Sequence, residues 1–178
     1  VYHLNLKAKN VLLDDSLNAK LTDFGVSHIL DCFDVLDRQL IEETAFSKNF
    51  FTENGCLEFP HPYNWCAPEV LKENRRLGFD ESSDVYSFGI LFLEMLSSAI
   101  PFQTLTAAQV MGCVGYAKAK PADCCTYEIL KDIFDKATHY DSKKRISFEE
   151  IVKLLDTAHE EMLYLSAETA LLAFMGDS

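Results

Sequence analysis

Four short segments bring together residue types with chemical use. His3-Leu4-Asn5-Leu6-Lys7-Ala8-Lys9-Asn10 comes first, and Asp23-Phe24-Gly25 begins thirteen residues after Asn10. Trp65-Cys66-Ala67-Pro68-Glu69 and Ser83-Asp84-Val85-Tyr86-Ser87-Phe88-Gly89 follow in order. Carboxylate and amide oxygens are donors that hard divalent cations accept. A carboxylate can also take a proton, which the neutral amide of Asn5 cannot do. His3 has no cysteine or carboxylate cluster around it in sequence, so it reads as a core histidine rather than a metal ligand. The six cysteines (Cys32, Cys56, Cys66, Cys113, Cys124, Cys125) form no C-x-x-C pair and no histidine spacing of the zinc type. Cys124-Cys125 reads as two thiols, because a disulfide between neighbours is strained. With no signal-like start, reduced thiols in a cytosolic protein are expected.

These groups need elements to hold them. Val11–Leu13 and Ala19–Thr22 are short apolar-rich runs separated by Asp14-Asp15-Ser16-Leu17-Asn18, which predicts a β-hairpin. Residues 26–66 hold Gly55, Pro60 and Pro62 and no sustained period, so a long loop is expected there. From Pro68 the pattern turns helical. Ser83–Ser98 is apolar on nearly every side and predicts a buried helix. Thr106-x-x-Gln109 and Ser147-x-x-Glu150 are capping boxes that place helix starts near 107 and 148. Tyr127–Thr138 is a further helix, and Ile151, Leu155, Ala158, Met162 and Leu165 form a stripe into a helical tail.

The bulk numbers narrow the function classes. The chain has 28 acidic residues against 16 basic ones, a net charge of −12, so a phosphate backbone would be repelled and nucleic acid is not an expected partner. The acidity serves solubility. The longest apolar stretches, such as Phe88–Leu93, fall far short of the roughly 20 residues of a membrane span. Val1-Tyr2-His3 already lies inside a motif, which predicts a chain cut from something longer.

Taken in order, with a hairpin between the first two, the four segments resemble the protein kinase signature set: the H-R-D-L-x-x-x-N catalytic loop, D-F-G, A-P-E and the buried helix beyond. The resemblance covers residues 1 to about 155. It implies a mainly α fold, a kinase-like C-terminal lobe with a small β-hairpin. Residues 1–25 would be the catalytic loop and metal-binding hairpin, 26–66 a long activation-type loop and 67–155 a helical subdomain, with 156–178 a helical tail. Trp65–Glu69 and Ser83–Gly89 are most similar to the tyrosine-kinase-like group, whereas Lys7 is the residue that Ser/Thr-type kinases carry.

By this resemblance Asn10 and Asp23 would hold two Mg²⁺ ions on the nucleotide phosphates, and Lys7 would neutralise the transferred phosphoryl group. Leu12, with Leu91 and Met95, would stack beneath adenine. His3 and Phe24 match the inner hydrophobic column. Asp84 would anchor the catalytic-loop backbone, and Glu69 would pair with Arg145. The Gly-rich loop, the V-A-I-K lysine and its partner glutamate have no counterpart here. The expected cofactors are ATP and Mg²⁺ where an N-terminal lobe is supplied, and none for this chain alone.

Three departures point to lost activity. Asn5 stands where the family has its proton-accepting aspartate, a contribution of about 10²–10⁴-fold. Pro62, five residues before Ala67, replaces the threonine that contacts the catalytic loop, and has neither hydroxyl nor N–H. Leu4 replaces the arginine that pairs with a phosphorylated loop. The expectation is a pseudokinase acting as an interaction or allosteric module. The alternatives are an active Ser/Thr-type kinase in its full-length form and a truncated remnant. The 26–66 loop, with Phe46, Phe50, Phe51, Phe59, Tyr63 and Trp65 beside Glu42 and Glu43, would dock a protein partner or fold back over the lobe. Thr44, Ser47 and Thr52 are weak candidates for phosphate acceptors.

Overall fold

The computed structural model describes residues 2–24, 63–72, 80–122 and 127–176, with side chains as far as residue 166. Gly25, Pro62, Cys32, Cys56, Cys124, Cys125 and most of the 26–66 loop lie outside the described residues.

The chain starts with a loop and a single 3₁₀ turn, Ala8–Asn10, that leads into a two-stranded antiparallel sheet. Strand β1 (Val11–Leu13) pairs with β2 (Ala19–Leu21), Leu12 opposite Lys20. The turn follows from Asp14, whose Oδ1 accepts the N–H groups of Ser16 at 3.0 Å and Asn18 at 2.8 Å. Those donors and the Asn18 amide hold the Asp14 carboxyl below its ordinary range. Leu17 completes the turn in the left-handed region at φ 64°.

The rest is helical. A 3₁₀ turn (Tyr63–Trp65) precedes α1 (Pro68–Lys72), with proline at a helix start where its missing N–H costs nothing. Helix α2 (Glu81–Ser97) begins at Asp80, whose side chain accepts from Ser82 N, and ends at Ser98, left-handed at φ 52°. Helix α3 (Ala107–Val110) opens on the Thr106–Gln109 capping box and runs into one π-helical stretch, Met111–Tyr116. Helix α4 covers Glu128–Ala137, and α5 runs unbroken from Phe148 to Gly176. At its start Ser147 Oγ accepts from Glu150 N and Ser147 N donates to the Glu150 carboxylate, the reciprocal pair foreseen for that spacing. The boundary drawn at residue 155 falls inside this helix.

Helix α2 is the axis of the core. Val85, Ile90 and Leu93 are buried along it, in one cluster with Val110, Val114 and, from the α4 that packs on it, Ile133 and Phe134. Ile151 and Ala158 of α5 close the cluster. Fully burying one such side chain stabilises by about 1.5–3 kcal/mol. Gly89 lets α2 and α4 touch: a Cβ there would lie 2.6 Å from Thr138 Cγ2 and 3.1 Å from Ala137 Cβ. The apolar run does not stay buried to its end, since Met95 and Leu96 are exposed. Among the described residues, no helix is long and apolar enough to cross a membrane.

Candidate functional site

Asp84, in the first turn of α2, reaches back eighty residues to shape the first loop. Its carboxylate accepts the backbone N–H of His3 and that of Leu4, each at 2.7 Å. That double anchor holds Leu4 at φ 58°, a left-handed conformation seldom adopted by a branched residue. The Asn5 N–H then donates to His3 Nδ1 at 3.3 Å. Nδ1 is therefore the acceptor, and in the neutral ring Nε2 carries the proton. Nε2 is buried with no hydrogen-bond partner among the described residues, and the ring centre lies 4.5 Å from that of Phe24.

Asn10 ties this loop to the hairpin. Its Nδ2 donates to the Asn5 carbonyl at 2.7 Å, and its own carbonyl accepts Thr22 N at 2.9 Å. Asp23 follows immediately, exposed and left-handed at φ 60°. Lys7, between Asn5 and Asn10 in sequence, is half-buried. Burial pushes its ammonium below the ordinary lysine range, while the Asp23 carboxylate pulls it back up. Asn5 Oδ1 is buried with no hydrogen-bond partner among the described residues. Leu12 and Met95 are exposed, whereas Leu91, the third residue expected beneath a base, is buried.

The donor set suits a hard cation in part. Nδ2 of Asn10 is committed to Asn5, which leaves its carbonyl oxygen as the ligating atom, and Asp23 offers a carboxylate. Magnesium bound there would draw a nucleotide's phosphates toward Lys7. Among the described residues no three His, Cys, Asp or Glu side chains gather into a fuller metal site. An amide at residue 5 cannot remove a proton from a hydroxyl.

A second constellation supports the first from below. Glu69 of α1 forms a bidentate pair with Arg145, Oε1 to Nη1 at 2.6 Å and Oε2 to Nη2 at 2.7 Å. Arg145 also donates to the carbonyls of His139 and Ser82, each at 2.8 Å, and its guanidinium sits 5.0 Å from the Tyr86 ring centre. Ser83 Oγ completes the set on Glu69 at 3.1 Å. Burial holds the Tyr86 proton well above the usual phenol range.

Sequence reasoning missed a further tie. Trp65 Nε1 donates to Glu94 Oε2 at 2.9 Å, and Ser87 Oγ donates to the Trp65 carbonyl at 2.8 Å. The signal was a single carboxylate at the end of an apolar helical run, where an uncompensated charge is costly.

The comparisons agree with this arrangement. The family described as protein tyrosine and serine/threonine kinase matches residues 1–155. An inactive protein tyrosine kinase, pTKL, of Plasmodium falciparum (isolate 3D7) is 28% identical across 97% of the chain. Ephrin type-A receptor 5 of Gallus gallus is 31% identical across 86%, and serine/threonine-protein kinase STY46 of Arabidopsis thaliana 27% identical across 91%. The chain spans only 14%, 13% and 24% of the lengths of these three relatives. With residues 1–155 matched, and with the loop, hairpin and helices arranged around Asp84 and the Glu69–Arg145 pair, the chain belongs to the protein tyrosine and serine/threonine kinase family.

Proposed function

We propose that this chain is the C-terminal lobe of a catalytically impaired kinase domain that acts as an interaction or allosteric module, in a cytoplasmic signalling role. One observation carries the reading. Asn5 stands at the proton-acceptor position with its Oδ1 buried and without a hydrogen-bond partner among the described residues, while Lys7, Asn10 and Asp23 are retained in the chain. The scaffold is kept where the base is not. The relative named as an inactive kinase supports the same reading. Asn10 and Asp23 would hold Mg²⁺ with ATP, and Lys7 would face the phosphates.

The test is incorporation of labelled phosphate from Mg·ATP into a generic protein acceptor by the full-length native protein. The expected result is incorporation no greater than that of an Asp23→Ala variant. Incorporation clearly above that background and abolished by Asn10→Ala would sink the proposal. It would establish the second reading, an active Ser/Thr-type kinase, which the retained Lys7, Asn10 and Asp23 favour.

A further inference from the structure

Away from that site, three groups from separate parts of the chain converge on one ring. Tyr140, after α4, donates its hydroxyl to the Gly115 carbonyl at 2.8 Å, which pins the phenol against the π-helical turn. Lys72, the last residue of α1, places its ammonium 4.2 Å from the ring centre and also donates to the Tyr140 oxygen. Lys118 places its own 4.8 Å away. The backbone works to hold Lys118 there: it is left-handed at φ 57°, in a turn closed by Ala117 N on Gly112 O at 3.0 Å and Ala119 N on Cys113 O at 2.9 Å. A lysine in that conformation is uncommon, and π-helical turns concentrate at functional positions.

The charges are unbalanced where they meet. Lys20, Lys120, Lys136 and Arg145 each have a carboxylate within ion-pair distance. Lys72 and Lys118, like Lys7, Lys9, Lys143, Lys144 and Lys153, have none among the described residues, but these two alone share one tyrosine. Two ammoniums held at one tyrosine, Lys72 at its hydroxyl and Lys118 over its ring, repel each other, and an anion between them removes that cost. A phosphate monoester carries about −1.5 to −2 at neutral pH, which matches two lysines, whereas a carboxylate matches one. Both lysines are exposed, so the anion they fit is one displayed on another surface.

We infer that Lys72, Tyr140 and Lys118 form a docking site for a phosphorylated side chain of a protein segment. The site is separate from the Asn5 loop and holds whether or not that loop is active.

Fluorescence anisotropy of a labelled phosphoserine peptide with neutral flanks, titrated with the full chain at fixed ionic strength, tests it. The expected result is binding about tenfold or more tighter than the same peptide with Ser or Glu, with inorganic phosphate a poor competitor. Lys72→Gln and Lys118→Gln should each weaken binding about tenfold. Lys72→Arg, Lys118→Arg and the control Lys20→Gln should keep it, with all unfolding midpoints unchanged. The site is overturned if the Gln variants bind normally or the Glu peptide binds equally well. Inorganic phosphate competing as tightly as the peptide would reduce it to a simple anion site and overturn the protein partner.

Discussion

Single residues decide what this lobe can do. Asp84 sets the first loop by accepting two backbone N–H groups, and Asn5 in that loop carries an amide, which cannot act as a base. Among the described ion pairs the most consequential for stability is Glu69–Arg145, with the arginine side chain fully buried and the glutamate side chain 20% exposed. Arg145→Met should cost about 3–5 kcal/mol in urea unfolding, because it strands the Glu69 carboxylate. Glu69→Met combined with Arg145→Met should cost less than Arg145→Met alone, since no charge is then left unpaired. A double variant at the sum of the two single losses would show that the pair has no such coupling. Both residues were legible beforehand from their places in the motif set. The bonds from Arg145 to the carbonyls of His139 and Ser82 were not, because nothing local in sequence marks a carbonyl as an acceptor.

Among the elements, α2 does most of the positioning. It carries Asp84, Ser87 and Glu94, which hold the first loop and Trp65, and it crosses α4 at Gly89. Alanine at an ordinary helix-interior glycine gains up to about 1 kcal/mol. Here the new methyl would meet Thr138, which is buried and fixed by its Oγ1 bond to the Phe134 carbonyl at 2.7 Å. Gly89→Ala should therefore destabilise, by about 1–3 kcal/mol, as overpacking does. Adding Thr138→Ser, which removes the clashing methyl, should recover much of the loss in chemical unfolding. A stabilised Gly89→Ala would mean that α2 and α4 do not approach this closely. The helix itself was readable from its apolar run as Ser83–Ser98, whereas its start at the Asp80 cap was not. Its exposed far end was not, because burial of Met95 and Leu96 depends on what packs there, not on their hydrophobicity.

At the scale of the whole molecule, the net charge of −12 sets a background repulsion that opposes compaction. Raising monovalent salt from about 0.01 to 1 M shortens the screening length from roughly 30 to 3 Å. The midpoint of thermal unfolding should rise by about 2–4 °C, the shift for roughly 1 kcal/mol in a chain of this size. A falling midpoint would show that favourable ion pairs outweigh the repulsion. The buried Glu69–Arg145 pair is screened much less than a surface pair and should not reverse the trend.

What the amino-acid order settled by itself was local or periodic. The capping boxes at Thr106 and Ser147, the Asp14 turn and the apolar stripes depend on neighbours within a few residues, so sequence spacing alone is enough to read them. The motif set carried the family and the positions of Asn5, Lys7, Asn10 and Asp23. Only the tertiary structure decided which distant groups meet: Trp65 with Glu94, Gly89 with Thr138, and both Lys72 and Lys118 with Tyr140. These contacts join segments whose separation in sequence says nothing of their distance in space. They form only when burial of the shared apolar cluster brings the helices and turns together.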